Sequence, residues 1–410
     1  MRKLTLLLLF TILSIVLWAQ HLEQQAQQLP LHSSQNADKQ IITGAERTEI
    51  YLPLLEGKRV AICGNQSSLI GKTHLVDSLI SRKVNVVKIF SPEHGFRGNA
   101  EAGAHISSST DSKTGLPIIS LYGKNKKPTA EQMKGIDLII FDIQDVGCRF
   151  YTYISTLHYV MEAAAENNVD VLILDRPNPN GYFVDGPVLE EKYKSFVGMH
   201  PIPVVHGMTI GEYGMMIAGE KWLKDSVVCQ LQVISMENYD HTMRYSLPIA
   251  PSPNLQTDEA IALYPSLCLF EGTDISIGRG TEIPFMCFGH PKLEIGEFYF
   301  TPQPIAGVSE NPPQKGEKCR GRDLTEKGIE IIKNGNQFDI QYLIEAYKAF
   351  PEKDKFFTNA NFFDKLAGNS TLRWQIIYGR DEATIRNSWQ EKLQQFKKTR
   401  KKYLLYNDFE

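Results

Sequence analysis

From about residue 59 onward, short apolar runs alternate with stretches whose apolar positions recur at helical spacing. The runs at 59–63, 84–90, 118–121, 137–142, 169–174 and 229–235 have the length and composition of strands buried on both faces. Between them, 75–81, 129–134, 153–167 and 210–223 read as helices. Strands alternating with helices predict βαβ units and a parallel sheet, and right-handed crossovers make this an α/β, Rossmann-like layered domain. The pattern changes at Pro251-Ser252-Pro253-Asn254. Beyond it lie an apolar run at 261–270, Gly/Pro-rich loops, a short run at 298–300 and helical stretches at 341–350 and 382–403. A Rossmann-like domain over 46–255 is therefore expected to pack against a smaller α+β domain over 256–410.

The N-terminus changes where such a protein is expected to work. Arg2 and Lys3 precede an apolar stretch at 4–18 that ends in Ala19, the form of a secretory signal peptide over 1–19. The stretch is short for a membrane span. Residues 20–45 are rich in Gln, Ser and His and read as a linker or disordered arm. The mature chain is thus expected in the periplasm or outside the cell, without stable membrane insertion.

Composition narrows the chemistry. The 410 residues, 42% of them hydrophobic, suffice for two cores. A net charge of −3, with basic residues concentrated only at 397–402, gives no support to nucleic-acid binding. Cys63, Cys148, Cys229, Cys268, Cys287 and Cys319 show neither CxxC nor Cys/His ligand spacing, so no metal, redox or cofactor site is expected. Gly71-Lys72-Thr73 resembles the end of a phosphate-binding loop, but Gln66 stands where that motif needs its first glycine.

Ligands of open α/β sheets bind beyond the carboxyl ends of the strands, and polar clusters recur there. Ser91-Pro92-Glu93-His94-Gly95-Phe96-Arg97-Gly98 follows one strand. Asp142-Ile143-Gln144-Asp145-Val146-Gly147 follows another and leads to Arg149, Tyr151, Thr152 and Tyr153. Asp175-Arg176 and Val205-His206-Gly207 end two further segments. The second domain adds Glu271-Gly272-Thr273 and Gly278-Arg279-Gly280-Thr281. Taken singly, Asp142 and Asp175 are equally well read as loop caps, and Arg149 and Arg176 as structural ion-pair partners. Recurrence after successive strands is what argues for a shared cleft.

These segments resemble one family. Residues 91–98, Phe-Asp-Ile-Gln-Asp-Val-Gly at 141–147 with Arg-Phe-Tyr-Thr-Tyr at 149–153, Leu-Asp-Arg-Pro-Asn-Pro at 174–179, Phe-Glu-Gly-Thr at 270–273 and Gly-Arg-Gly-Thr at 278–281 are similar, in order, to motifs of the exo-acting β-N-acetylmuramidase family of glycoside hydrolases. The resemblance covers roughly 47–410. It implies release of terminal N-acetylmuramic acid from the non-reducing ends of peptidoglycan fragments, in an active-site cleft between a Rossmann-like N-terminal domain and a smaller α+β C-terminal one. An exported muropeptide- or sugar-binding protein without hydrolytic activity, or a hydrolase for another amino sugar, is the alternative.

Glycoside hydrolysis needs an acid to protonate the leaving oxygen, and the resemblance assigns this to Glu93. Burial raises such a carboxyl's pKa, whereas Arg97 nearby lowers it. Its partner is open among Asp142, Asp145, Asp175 and Glu271. The substrate's own acetamido oxygen is a further possibility, with Asp142 orienting it and Tyr151 near the anomeric centre. His94, Arg97, Gln144, Arg149, Asp175, Arg176, His206, Glu271 and Arg279 complete the expected substrate site. Muramic acid carries a lactyl carboxylate, which suits a guanidinium fork: Arg279, or else Arg149 or Arg176.

Overall fold

The computed structural model of the chain describes residues 40–93, 95–97, 109–335 and 337–410. The expected signal peptide and nearly all of the arm preceding residue 40 lie outside the described residues. Residues 41–45, expected in that arm, are packed instead: Ile42 pairs with Glu237, Gly44 N donates to the Asp175 carbonyl at 2.9 Å, and Ala45 is buried.

The apolar runs become strands β1 (Val60–Gly64), β2 (Val86–Ser91), β3 (Ser109–Thr110), β4 (Pro117–Ser120), β5 (Leu138–Asp142), β6 (Asp170–Leu174) and β7 (Leu231–Ile234). They form a seven-stranded sheet in the order β3-β4-β2-β1-β5-β6-β7. All pairings are parallel except that of the edge strand β3 with β4. The strand order runs outward in opposite directions from β1 and β5, as in a doubly wound sheet. β1 and β5 are buried at every position because both sheet faces are covered. Side chains alternate between two apolar layers: Ala61 and Cys63 enter one, Val60 and Ile62 the other.

The helices Leu75–Ser81, Tyr153–Glu166 and Ile210–Gly219 connect the strands. The last stops short of the predicted 223, followed by a turn in which Lys221 adopts a φ of 56°. The C-terminal domain contains a small antiparallel sheet of β8 (Cys287–His290), β9 (Phe298–Phe300) and β10 (Cys319–Asp323), in the order β8-β10-β9. The run at 261–270 is helix Asp258–Leu267 continued by a tight turn, Cys268–Gly272. Helices Thr325–Asn334, Ala360–Ala367 and Thr371–Ile377 had no counterpart in the pattern; at 10, 8 and 7 residues they span too few turns to establish a period.

Ile41–Glu410 form one compact unit. Its main core includes Phe141 and Leu157 from the first domain and Phe270, Phe288, Phe363 and Trp389 from the second. The Phe150 and Tyr264 rings meet edge to face at 5.4 Å across the boundary. The end of the chain then returns to the first domain: Leu405 N donates to Glu212 Oε1 at 2.8 Å and the Tyr406 hydroxyl to Asp175 Oδ2 at 2.6 Å. No helix among the described residues is long and apolar enough to cross a membrane.

Candidate active site

β2 delivers Ser91 and Pro92 to the carboxyl edge of the sheet, and Glu93 follows directly. β4 ends beside it and supplies Tyr122. Helix Tyr153–Glu166 begins at the same edge, so Tyr151, Thr152 and Tyr153 gather there. The Thr152 hydroxyl donates to Glu93 Oε2 at 2.9 Å. With Phe150 and Phe196, these residues form one side of a cavity of about 750 Å³. Ser252, Asn254, Tyr264, Glu271, Arg279, Phe285 and Ser309 line the rest. The volume suits a small-molecule ligand. Burial raises the pKa of the Tyr122 hydroxyl, and the neighbouring Glu93 carboxylate adds to this.

Arg279 is held in place by backbone and charge together. Gly278 and Gly280 both have positive φ, 78° and 79°, and a Cβ on Gly280 would stand 2.5 Å from the Gln303 carbonyl oxygen. The guanidinium lies 4.9 Å above the Phe285 ring and donates from Nε and Nη2 to Glu271 Oε1 at 3.1 and 2.6 Å. Burial works against the Arg279 charge, but the adjoining Glu271 outweighs it and the pKa moves up.

Of the expected site residues, Glu93, Tyr151, Glu271 and Arg279 meet at this cavity. His94 lies outside the described residues. The others do not line it. Asp142 is fully buried in a two-pronged ion pair with Arg176, at 2.6 and 3.0 Å, so each occupies the other. Arg97 turns to Asp111 and Asp77, at 2.9 and 3.4 Å, rather than towards a ligand. Arg149 is buried and donates to the carbonyls of Pro187, Ile202 and Leu366, tying three segments together.

Gln144 spends its side-chain amide on the Asp145 and Pro177 carbonyls. Asp175 accepts from Tyr406, Thr209, Gly211 and the Arg176 amide, and burial pushes its pKa up to about 7. Asp145 and His206 are buried away from the cavity lining, with Asp145 Oδ2 and His206 Nε2 3.7 Å apart. Strand-end position alone could not separate these residues from Glu93, because the loops over β1 and β5 are filled by polar side chains. Ser68 Oγ donates to the Asp142 carbonyl, and Gln144 N donates to Ser67 Oγ at 2.9 Å.

The residues that the motifs left out, Tyr122, Asn254, Phe196 and Ser309, come from loops between elements. Tyr122 was within reach, since it follows a predicted strand end. The six cysteines are buried free thiols.

Comparison with known proteins accords with this arrangement. The model of the N-terminal domain of exo-β-N-acetylmuramidase NamZ matches residues 60–259, and that of its C-terminal domain matches 262–406. Over 378 residues the chain is 41% identical to the peptidoglycan β-N-acetylmuramidase NamZ of Bacillus subtilis, covering 87% of this chain and 89% of that one. Two crystal structures of DUF1343 family proteins from Bacteroides fragilis are also similar. One is 48% identical, with a TM-score of 0.83, over 90% of this chain and all (100%) of that one. The other is 31% identical, with a TM-score of 0.77, over 90% and 99% of the two chains. With both domain models matched in order and the fold shared with these structures, the chain belongs to the exo-β-N-acetylmuramidase NamZ family.

Proposed function

We propose that this chain, a glycoside hydrolase of the NamZ family, removes terminal N-acetylmuramic acid from the non-reducing ends of peptidoglycan fragments, with Glu93 as the acid that protonates the leaving oxygen. The observation that carries this reading is the placement of Glu93 in a cavity that also contains Arg279. A carboxyl can protonate the glycosidic oxygen, and a guanidinium can receive a lactyl carboxylate. Arg149 and Arg176, the other cations considered for that carboxylate, are committed elsewhere.

Of the four acids considered as partners to Glu93, Asp142, Asp145 and Asp175 are buried away from the cavity lining and Glu271 is tied to Arg279. This favours the substrate-assisted route, in which the acetamido oxygen attacks the anomeric carbon as Glu93 gives its proton to the departing sugar. Export of the mature chain to the periplasm or the medium is supported by the basic-then-apolar sequence of residues 2–19.

A panel of chromogenic β-glycosides of N-acetylmuramic acid, N-acetylglucosamine and N-acetylgalactosamine tests the reading. Turnover of the muramide, well above that of the other two, is the expected result. Tight muramide binding without hydrolysis, or a preference for another amino sugar, would overturn it.

A further inference from the structure

Among the described residues, three buried polar atoms without hydrogen-bond partners belong to residues of one neighbourhood: the Tyr151 hydroxyl, Asp145 Oδ1 and His206 Nε2. Buried polar groups are ordinarily paired, so such a grouping calls for an explanation. The chain brings these residues together deliberately. Cys148 and Val205 form an antiparallel bridge, His206 N donates to the Gly147 carbonyl at 3.3 Å, and Arg149 N donates to that of Val204 at 2.8 Å. Gly147 has a φ of 77°, and a Cβ there would lie 2.3 Å from the Asn178 side chain. Its amide donates to Asp145 Oδ2 at 2.7 Å, which fixes the carboxylate.

The tautomer of His206 follows from its surroundings. Nδ1 accepts from Met208 N at 3.2 Å, so the ring proton of the neutral imidazole sits on Nε2, 3.7 Å from Asp145 Oδ2. Tyr151 lines the cavity, which Asp145 and His206 do not. After burial and the neighbouring Tyr153, the carboxylates of Asp145 and Glu93 both raise its pKa, so its hydroxyl remains protonated. The Tyr153 hydroxyl, beside it, accepts from Asn65 Nδ2 and donates to the Pro251 carbonyl. The remaining titratable groups that pack here include Tyr264 against the Tyr151 ring at 5.8 Å, Tyr213 against the His206 ring at 5.3 Å, Cys148, and Arg149 on its three carbonyls.

We propose that Asp145 and His206 are positioning residues for Tyr151: Asp145, steadied by His206, takes the Tyr151 proton in a hydrogen bond that forms when the sugar binds. Hydrogen bonds of this kind are often long in the ligand-free enzyme and tighten in the complex. A hydroxyl that donates to a carboxylate turns its lone pairs the other way, towards the positive charge that develops at the anomeric carbon. Asp145 and His206 touch no substrate and act only through Tyr151.

The inference rests on the muramidase reading, so the test starts from wild-type turnover of a muramide; its absence would fault that reading and not the dyad. Asp145→Asn and His206→Gln are each made alone and in a Tyr151→Phe background, with kcat, KM and Tm measured. Each single substitution is expected to lower kcat about tenfold or more with little change in KM, and to add less than about twofold once Tyr151 is Phe, as for residues that act as one unit. Full-sized additive losses in the Phe background, or an unchanged kcat in either folded single variant, would overturn the proposal. Should Asp145→Asn fail to fold, His206→Gln decides alone.

Discussion

The Arg279 guanidinium donates from both Nε and Nη2 to one oxygen of Glu271, at 3.1 and 2.6 Å, while lying against the face of Phe285. Glu271 therefore serves as an anchor that fixes the fork inside the cavity rather than as a free carboxylate facing Glu93. An oriented guanidinium is the natural receptor for a substrate carboxylate.

Replacing Arg279 by Ala is expected to raise KM for a muramide about tenfold or more, because a charge-assisted pair in a partly dry site is lost. Arg279→Lys should recover only part of that loss, since an ammonium cannot reproduce the fork. The same variants should change little on the corresponding N-acetylglucosaminide, which has no lactyl acid. Equal losses on both substrates, measured by initial rates, would show that Arg279 does not read the carboxylate.

Arg149 gives a prediction about stability. Its guanidinium satisfies the buried carbonyls of Pro187, Ile202 and Leu366, and Leu366 belongs to the second domain. Arg149→Met keeps much of the volume but strands these acceptors, at about 1–3 kcal/mol for each buried group left unpaired. Chemical denaturation should show a destabilisation of about 3 kcal/mol or more. Loss of activity with unchanged stability would instead point to contact with substrate.

Asp175 sets a pH dependence. Burial pushes its folded-state pKa up to about 7, despite donation from Tyr406, Gly211 and Thr209. The folded chain thus holds a proton that the unfolded chain has released between pH ~4 and ~7, and the Asp175 contribution to stability falls as pH rises through that window. Asp175→Asn removes this titration. Its Tm, measured from pH 4 to 8, should decline less steeply towards pH 7 than that of the wild type. Parallel curves would contradict the assignment.

If the acetamido oxygen is the nucleophile, the first sugar product keeps its β configuration and a muramyl thiazoline inhibits. Proton NMR of the fresh product distinguishes the outcomes: the α anomer appearing first would indicate inversion, with a second carboxylate activating water.

The parallel sheet was legible because strands such as Leu138–Asp142 are apolar throughout, a pattern that only burial on both faces tolerates. The place of Glu93 at the carboxyl edge of the sheet was legible from the strand before it, though that position did not set it apart from the other strand-end acids. For Asp142 and Arg176 the structural ion pair was one of two even readings, and no local spacing decided between them, because the two residues stand 34 apart in sequence. The same holds for Arg149, whose partners lie 38, 53 and 217 residues away. Nor did any pattern announce the tail, where Tyr406 reaches Asp175 from 231 residues away. Motifs marked which loops matter. Packing decided which side chains on those loops face the cavity.

The central claim is that Glu93 protonates the glycosidic oxygen of a terminal N-acetylmuramic acid. It is tested most directly by incubating the disaccharide of N-acetylmuramic acid β-linked to N-acetylglucosamine with wild-type protein and with folded Glu93→Gln, and quantifying free N-acetylmuramic acid by mass spectrometry. The account predicts steady release by the wild type and a loss of about 10²-fold or more in the variant. Release by Glu93→Gln at near wild-type rate would contradict it.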